Sequence, residues 1–269
     1  MKVVYILNES QFYMRMAWFS LGTLRRFNPD IPVELVLVLD AGRENRNIGN
    51  MADLDLGIPR FTTSEFAKEC ASRFDVRIKL VENPELGEEA GYVSAQRKEL
   101  WRVEGEDILL LDADTFVLND ISPLWDDDCK VDVTADLNEW GKAHGQIPGG
   151  YEAFNSGVVL FRGDTMQRYA RALYKICVDL KNDVHPLGPW LGENRKESRE
   201  ELAFSIWVKE SGLSRRLWSK REVQTCSLEN QTRILHTMTP NWLRYFVRFF
   251  KHGNFMPPRR LRRLLIPTS

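Results

Sequence analysis

The 269-residue sequence is poor in several features, and each absence excludes something. Its four cysteines, Cys70, Cys129, Cys177 and Cys226, are scattered and form no paired spacing. That excludes a zinc ribbon or a disulfide framework and reads as reduced, mostly buried thiols of a cytosolic protein. No apolar run approaches the ~20 residues of a membrane span. The opening "MKVVYILNES" turns polar after a short apolar stretch, so it is expected to be a first strand and not a secretion signal. There is no internal repeat and no low-complexity linker, which favours one domain over an array. Nothing in the sequence resembles a nucleic-acid module.

The composition present, 43% hydrophobic and 28% charged residues, is that of a soluble globular protein. The net charge of −1 hides an asymmetry. From Asn230 onward there are eight Lys/Arg and no acid, so the first 229 residues hold 29 basic against 38 acidic residues, a net of −9. "KVVYIL", "VELVLVLD", "VRIKLVE", "DILLLDADTFVL", "VDVTAD", "NSGVVLFR" and "RILHTM" read as strands. "YMRMAWFSLGTLRRF", "TTSEFAKECASRF", "YVSAQRKELWRVEG", "DTMQRYARALYKICVDLK" and "SREELAFSIWVKES" read as helices. Thr62 and Glu65 stand in capping-box positions at the start of the second. The stretch from Asn182 to Ser198 is expected to be a polar loop. Strands alternating with helices predict an α/β fold with a mostly parallel sheet covered on both faces. Ligands of such sheets lie beyond the carboxyl ends of the strands.

"ILLLDADTFVLNDI" places Asp112 and Asp114 at that position. Two carboxylates held on one side of a chain can bind one hard divalent cation, with phosphate oxygens or waters completing the shell. The bland alternative is a solvated strand-end turn, because D-x-D is short and common. A second functional alternative is a haloacid-dehalogenase-type phosphohydrolase, whose D-x-D supplies a nucleophile. That motif usually lies on the first strand with Thr or Val four residues on, where this chain has Phe116.

"ILLLDADTFVLNDISPLW" followed by "FNSGVVLFR" resembles the GT-A fold nucleotide-sugar glycosyltransferases, most closely family 8, the group of glycogenin and bacterial lipopolysaccharide galactosyltransferases. A basic residue some fifteen positions before the D-x-D (Arg97 or Lys98), an acidic pair opening a later helix ("EELAFSIW") and a late strand ending in His ("ILHTMTPNW") fall in the family's order. The resemblance implies a Rossmann-like GT-A domain over residues 1–245, followed by a basic, aromatic tail over 246–269. It implies transfer of a hexose from a nucleoside-diphosphate sugar, most often a uridine diphosphate sugar, to a saccharide or glycolipid hydroxyl, with retention of anomeric configuration. Asp112, Asp114 and His236 would hold manganese or magnesium. Asn8, Arg97, Asp112, Asp136, Asn155 and Gly157 would contact the donor, with Gly157 leaving space for the sugar. Glu200 and Glu201 would face the reacting sugar as the catalytic pair, with Glu200 the first choice. A non-catalytic relative that binds a sugar nucleotide or a membrane is the remaining alternative. The family's closing His-x-x-Gly-x-x-Lys-Pro-Trp signature is replaced here by His-Thr-Met-Thr-Pro-Asn-Trp, and Arg244 is the candidate replacement for its lysine.

Each assignment has a structural counterpart. His236 reads equally as a satisfied strand-end histidine, Asn155 as a turn residue, and Arg97 as a solvated helix charge. Glu201, three residues after Ser198, reads as a helix cap. Trp101, Trp125 and Trp207 are expected in the core, and Trp190 as a platform for an apolar sugar face. The tail interleaves Trp242, Tyr245, Phe246, Phe249, Phe250 and Phe255 with Arg244, Arg248, Lys251, Arg259, Arg260, Arg262 and Arg263. That pattern suits an anionic bilayer surface and predicts a cytoplasmic protein held peripherally at the cytoplasmic membrane face; the alternative is that the aromatics pack on the domain and the arginines are solvated.

Overall fold

A computed structural model describes residues 1–39, 60–82, 96–125, 131–137, 147–193, 199–225 and 232–236. The described chain is α/β. Its larger sheet has the order β3-β2-β1-β4-β7-β6-β8. β1 (Lys2–Asn8), β2 (Val33–Leu39), β3 (Arg77–Glu82) and β4 (Ile108–Leu111) run parallel, with Val3 opposite Val33 and Tyr5 opposite Leu111. β7 (Phe154–Phe161) is antiparallel to both β4 and β6 (Val133–Leu137), and β8 (Arg215–Leu217) returns parallel to β6. The sheet is therefore mixed and mostly parallel.

Strand alternation divides the core in two. Val3, Tyr5 and Leu7 point to one face, with Leu35 and Leu37; Val4 and Ile6 point to the other, with Val36 and Val38. α1 (Gln11–Phe27) and α2 (Thr63–Phe74) cover the first face, and α3 (Thr165–Lys181) and α5 (Arg199–Glu210) cover the second. Ile108, Leu109, Leu110 and Leu111 are all fully buried. At roughly 1.5–3 kcal/mol for each large apolar side chain removed from water, such a run fixes β4 at the sheet's centre. The Thr62 and Glu65 capping box forms as predicted, with Glu65 N–H donating to Thr62 Oγ1 (3.2 Å) and Thr62 N–H to Glu65 Oε2 (2.7 Å).

Three expectations are corrected. "DILLLDADTFVL" is not one strand. β4 ends at Leu111, the chain turns, and β5 (Thr115–Val117) joins a second sheet of order β5-β10-β9 with β10 (Ile234–His236) and β9 (Val223–Thr225). Thr115 drives the turn, donating through both N–H (3.2 Å) and Oγ1 (2.7 Å) to the Asp112 carbonyl. The expected loop after Asn182 contains a short helix, α4 (Gly188–Glu193), and Trp190 packs part-buried against the second core. Trp125 and Trp207 are buried, but Trp101 is 44% exposed, with the Arg102 guanidinium over its ring at 4.5 Å. The residue lies in a short 3-10 turn (Lys98–Arg102) where only Glu99 and Leu100 face inward.

Cys70 and Cys177 are buried free thiols, while Cys129 and Cys226 lie outside the described residues. So do the boundary at 245 and the tail. No helix among the described residues is long and apolar enough to cross a membrane.

Candidate functional site

The site forms where β4 ends. Asp112 N–H donates to the Gly157 carbonyl (2.8 Å), which continues the β4–β7 ladder one residue past the strand. The turn is also held from behind. The hydroxyls of Tyr5 and Ser20 lie 2.8 Å apart and those of Ser20 and Thr115 3.2 Å apart, a buried chain from β1 through α1 to the turn. The two aspartates thus converge through a fixed turn and not through strand alternation.

β10 delivers the third group. It pairs antiparallel with β5, placing His236 opposite Thr115. His236 Nε2 comes within 3.3 Å of Asp114 Oδ1 and 3.8 Å of Asp112 Oδ2. One ligand atom from each of the three residues lies within 4.8 Å of the others. The imidazole is buried and its Nδ1 has no hydrogen-bond partner among the described residues. Burial alone would lower its basicity, but Asp114 and then Asp112 outweigh that and raise it above the ordinary histidine range. Burial raises the Asp112 carboxyl against the pull of Arg97 and His236, and Asp114 and Glu200 push it further. Carboxylates crowded in this way are stabilised by a divalent cation, and two carboxylates with an imidazole suit such an ion.

Arg97, not Lys98, meets the site. Its buried guanidinium donates to Asp112 Oδ1 (2.7 Å) and to the Ser156 carbonyl (2.8 Å), and stands 3.3 Å from Glu200 Oε1. Burial opposes its charge, but Glu200 and Asp112 outweigh burial and hold it protonated. Lys98 points away, its Nζ 4.6 Å from the centre of the Tyr174 ring. Arg97 is therefore an internal clamp on a metal-ligand candidate.

The acidic pair divides. Glu200 is 4% exposed and accepts from Tyr169 OH (2.6 Å) and Ser156 Oγ (2.7 Å) as well as facing Arg97. That carboxylate is fully engaged inside the protein. Glu201 is only half-buried and accepts from Asn155 Nδ2 (2.9 Å), while Asn155 Oδ1 accepts the Gly157 N–H (2.9 Å). The two carboxylates therefore sit in different surroundings, Glu200 in the interior and Glu201 beside Asn155 and nearer the surface. Ser198, its suggested capping partner, lies outside the described residues.

Asp136 is brought beside this pair, being the register partner of Asn155 across β6 and β7. Asn8 ends β1, buried, its Oδ1 accepting the Ser10 N–H (3.1 Å). The room at Gly157 is taken by His236: an added Cβ would stand 2.1 Å from the ring's Cε1. An opening of about 160 Å³ adjoins the aspartates, lined by Ile6, Leu7, Tyr13, Gln96, Arg97, Asp112, Ala113 and Asp114. Burial, with Asp112 and Asp114 nearby, raises the Tyr13 hydroxyl.

The structure thus gathers Asp112, Asp114, His236, Arg97, Asn155, Gly157, Glu200, Glu201 and Asp136 around one strand end. Sequence reasoning missed Tyr169, Ser156, Tyr13 and Gln96. Ser156 and Gln96 adjoin chosen residues, whereas Tyr169 carries no local signal and is one of many apolar-face positions on α3.

No protein-family model and no curated protein matches the sequence. Solved structures do match. The galactosyltransferase LgtC, crystallised with donor and acceptor sugar analogues, aligns over 98% of this chain and 100% of its own, at 14% identity and a TM-score of 0.55. The glycosyltransferase GlyE of Streptococcus pneumoniae TIGR4 aligns over 89% of this chain and 55% of its own, at 14% identity and a TM-score of 0.56. The described chain has the fold of these glycosyltransferases, the GT-A architecture.

Proposed function

We propose that the protein is a divalent-metal-dependent glycosyltransferase. It would move a hexose from a nucleoside-diphosphate sugar, with uridine diphosphate the first choice of carrier, to a saccharide or glycolipid hydroxyl, and retain the anomeric configuration. The observation that carries this reading is the Asp112–Asp114–His236 cluster at the carboxyl end of the central strand, beside an opening, in a chain with the fold of known glycosyltransferases. Asp112, Asp114 and His236 would hold the ion. The imidazole in the set favours manganese over magnesium, which prefers oxygen ligands alone. Bound there, the cation would neutralise charge developing on the diphosphate leaving group.

The chain's own groups divide the remaining work. Arg97 and Glu200 hold Asp112 in place. The neighbours Asn155, Glu201 and Asp136 present hydrogen-bonding groups to the transferred sugar. A phosphohydrolase reading gains less support, because Asp112 is tied to Arg97 and stands beside a histidine suited to ligating the same ion as the aspartates. The basic, aromatic tail would hold the enzyme at an anionic cytoplasmic membrane face, about 1 kcal/mol for each basic residue near the surface.

The test is a thermal-shift screen of nucleotide sugars with and without manganese, since a ligand of the native state raises its apparent stability. A shift that needs the metal, and that Asp112→Ala and Asp114→Ala abolish, is expected. Release of phosphate from simple phosphate esters with no response to nucleotide sugars would refute the proposal in favour of a phosphohydrolase. Flotation with anionic vesicles tests the membrane contact. Binding should weaken with salt and be lost in a chain ending at His252.

A further inference from the structure

One side chain beside the aspartates carries a hydrogen-bonding group that the fold does not use. Gln96 lines the opening with Asp112 and Asp114, is 7% exposed, and has a buried Nε2 without a hydrogen-bond partner among the described residues. Among the described residues, no other residue lining that opening leaves a buried polar side-chain atom unpartnered. An unpaired amide in the interior is destabilising, and an apolar side chain of the same size would pack there without that cost. Groups that a fold tolerates at its own expense concentrate at binding sites.

We propose that Gln96 is a donor-recognition residue whose carboxamide hydrogen-bonds the nucleoside of the sugar nucleotide, an assignment that rests on the glycosyltransferase reading above. The chemistry selects the nucleoside. A neutral carboxamide offers a donor and an acceptor together, matching a nucleobase edge or a ribose hydroxyl. A diphosphate carries acceptors alone and is matched by cations. The same opening presents Ile6, Leu7 and the Tyr13 ring, an apolar and aromatic wall of the kind that takes the face of a base.

The experiment compares the full wild-type chain with Gln96→Met, a nearly volume-conserving change that removes both polar atoms. Without ligand, the variant's Tm equals or exceeds that of the wild type. With manganese, calorimetry against UDP, CDP, ADP and GDP identifies the nucleotide that the wild type binds most tightly. Gln96→Met binds that nucleotide about tenfold more weakly. Two analogues then locate the contact, one lacking the ribose 2′-hydroxyl and one methylated on the hydrogen-bonding edge of the base. The modification that removes Gln96's partner weakens binding to the wild type and makes no further difference to the variant. A lowered Tm with unchanged affinity would make Gln96 a structural residue and overturn the proposal. So would a loss of affinity coupled to neither modification. Failure of the wild type to bind any of the four nucleotides would overturn the glycosyltransferase reading together with this assignment, whereas tight binding that Gln96→Met leaves untouched would overturn this assignment alone.

Discussion

Gly157→Ala tests the site through its tightest contact. Gly157 lies in β7, which is buried along its whole length, and its φ is not positive, so glycine is required there for space and not for conformation. A Cβ would lie 2.1 Å from His236 Cε1, 2.6 Å from Nε2 and 2.8 Å from Nδ1. Carbon atoms pack favourably near 3.5–4.0 Å, so the ring must retreat by more than ~1 Å. His236 is buried, and such a retreat breaks its 3.3 Å approach to Asp114. Overpacking of this kind costs about 1–3 kcal/mol, while replacing glycine in a strand interior gains about 0.5–1 kcal/mol. The expected net effect is a loss of roughly 1–2 kcal/mol. In a His236→Ala background the ring is gone, and the same substitution becomes neutral or stabilising. Urea denaturation of the four proteins, with chelator present so that metal binding does not contribute, should give a coupling energy of about 1–3 kcal/mol. Manganese affinity of the single Gly157→Ala variant should fall at least tenfold, because one ligand has been displaced. Additive stabilities, or wild-type manganese binding by Gly157→Ala, would show that His236 does not occupy the space at Gly157 and would remove it from the ligand set.

The two glutamates should separate by readout. Glu200→Ala, which strips a partner from buried Arg97, should cost about 3–5 kcal/mol in denaturation, while Glu201→Gln should leave stability unchanged and lower kcat; the opposite pattern would mean that the helix presents the other carboxylate. Asp132 is held below the usual carboxylate range by hydrogen bonds from Ser214 Oγ and then Ser214 N–H. Its stabilising contribution is present above the unfolded pKa near ~4 and is lost as pH falls through the depressed folded value. Asp132→Asn should therefore lower stability at neutral pH and flatten its decline in acid, and parallel acid profiles would refute the pairing. Burial, helped by Glu69, pushes the Cys70 thiol up to about 12, so native protein at pH 8 should resist thiol reagents at that position until unfolded. Rapid labelling of Cys70 in the folded state would contradict the packing of α2.

The parts of this molecule legible in the sequence are those set by local pattern. Four consecutive apolar residues announce a buried central strand, and the carboxylates that end it must lie at the ligand-binding edge of the sheet. The capping box over Thr62 and Glu65 is a three-residue relation and forms as read. The turn at Asp112 was not legible: Thr115 closes it locally on the Asp112 carbonyl, but the strand it leads into, β5, exists only by pairing with β10, more than a hundred residues away in sequence. The 3-10 turn at Trp101 was missed for a related reason: tryptophan is usually buried, and only the actual register of that turn leaves its ring outside.

The acidic pair shows where local pattern stops and packing begins. Adjacent residues of an α-helix point about 100° apart, so Glu200 and Glu201 cannot face the same environment. Which one turns inward depends on what waits inside. On the inward side stand Tyr169, Ser156 and Arg97, three partners that compensate a buried carboxylate; on the other stands Asn155, whose amide donates to Glu201. A carboxylate with three inward partners is held rigidly, and through Arg97 it holds Asp112. The different surroundings of these neighbouring glutamates follow from the rotation of one helix, fixed by the packing of α5 on α3 and β7, and no inspection of "EE" alone could assign them.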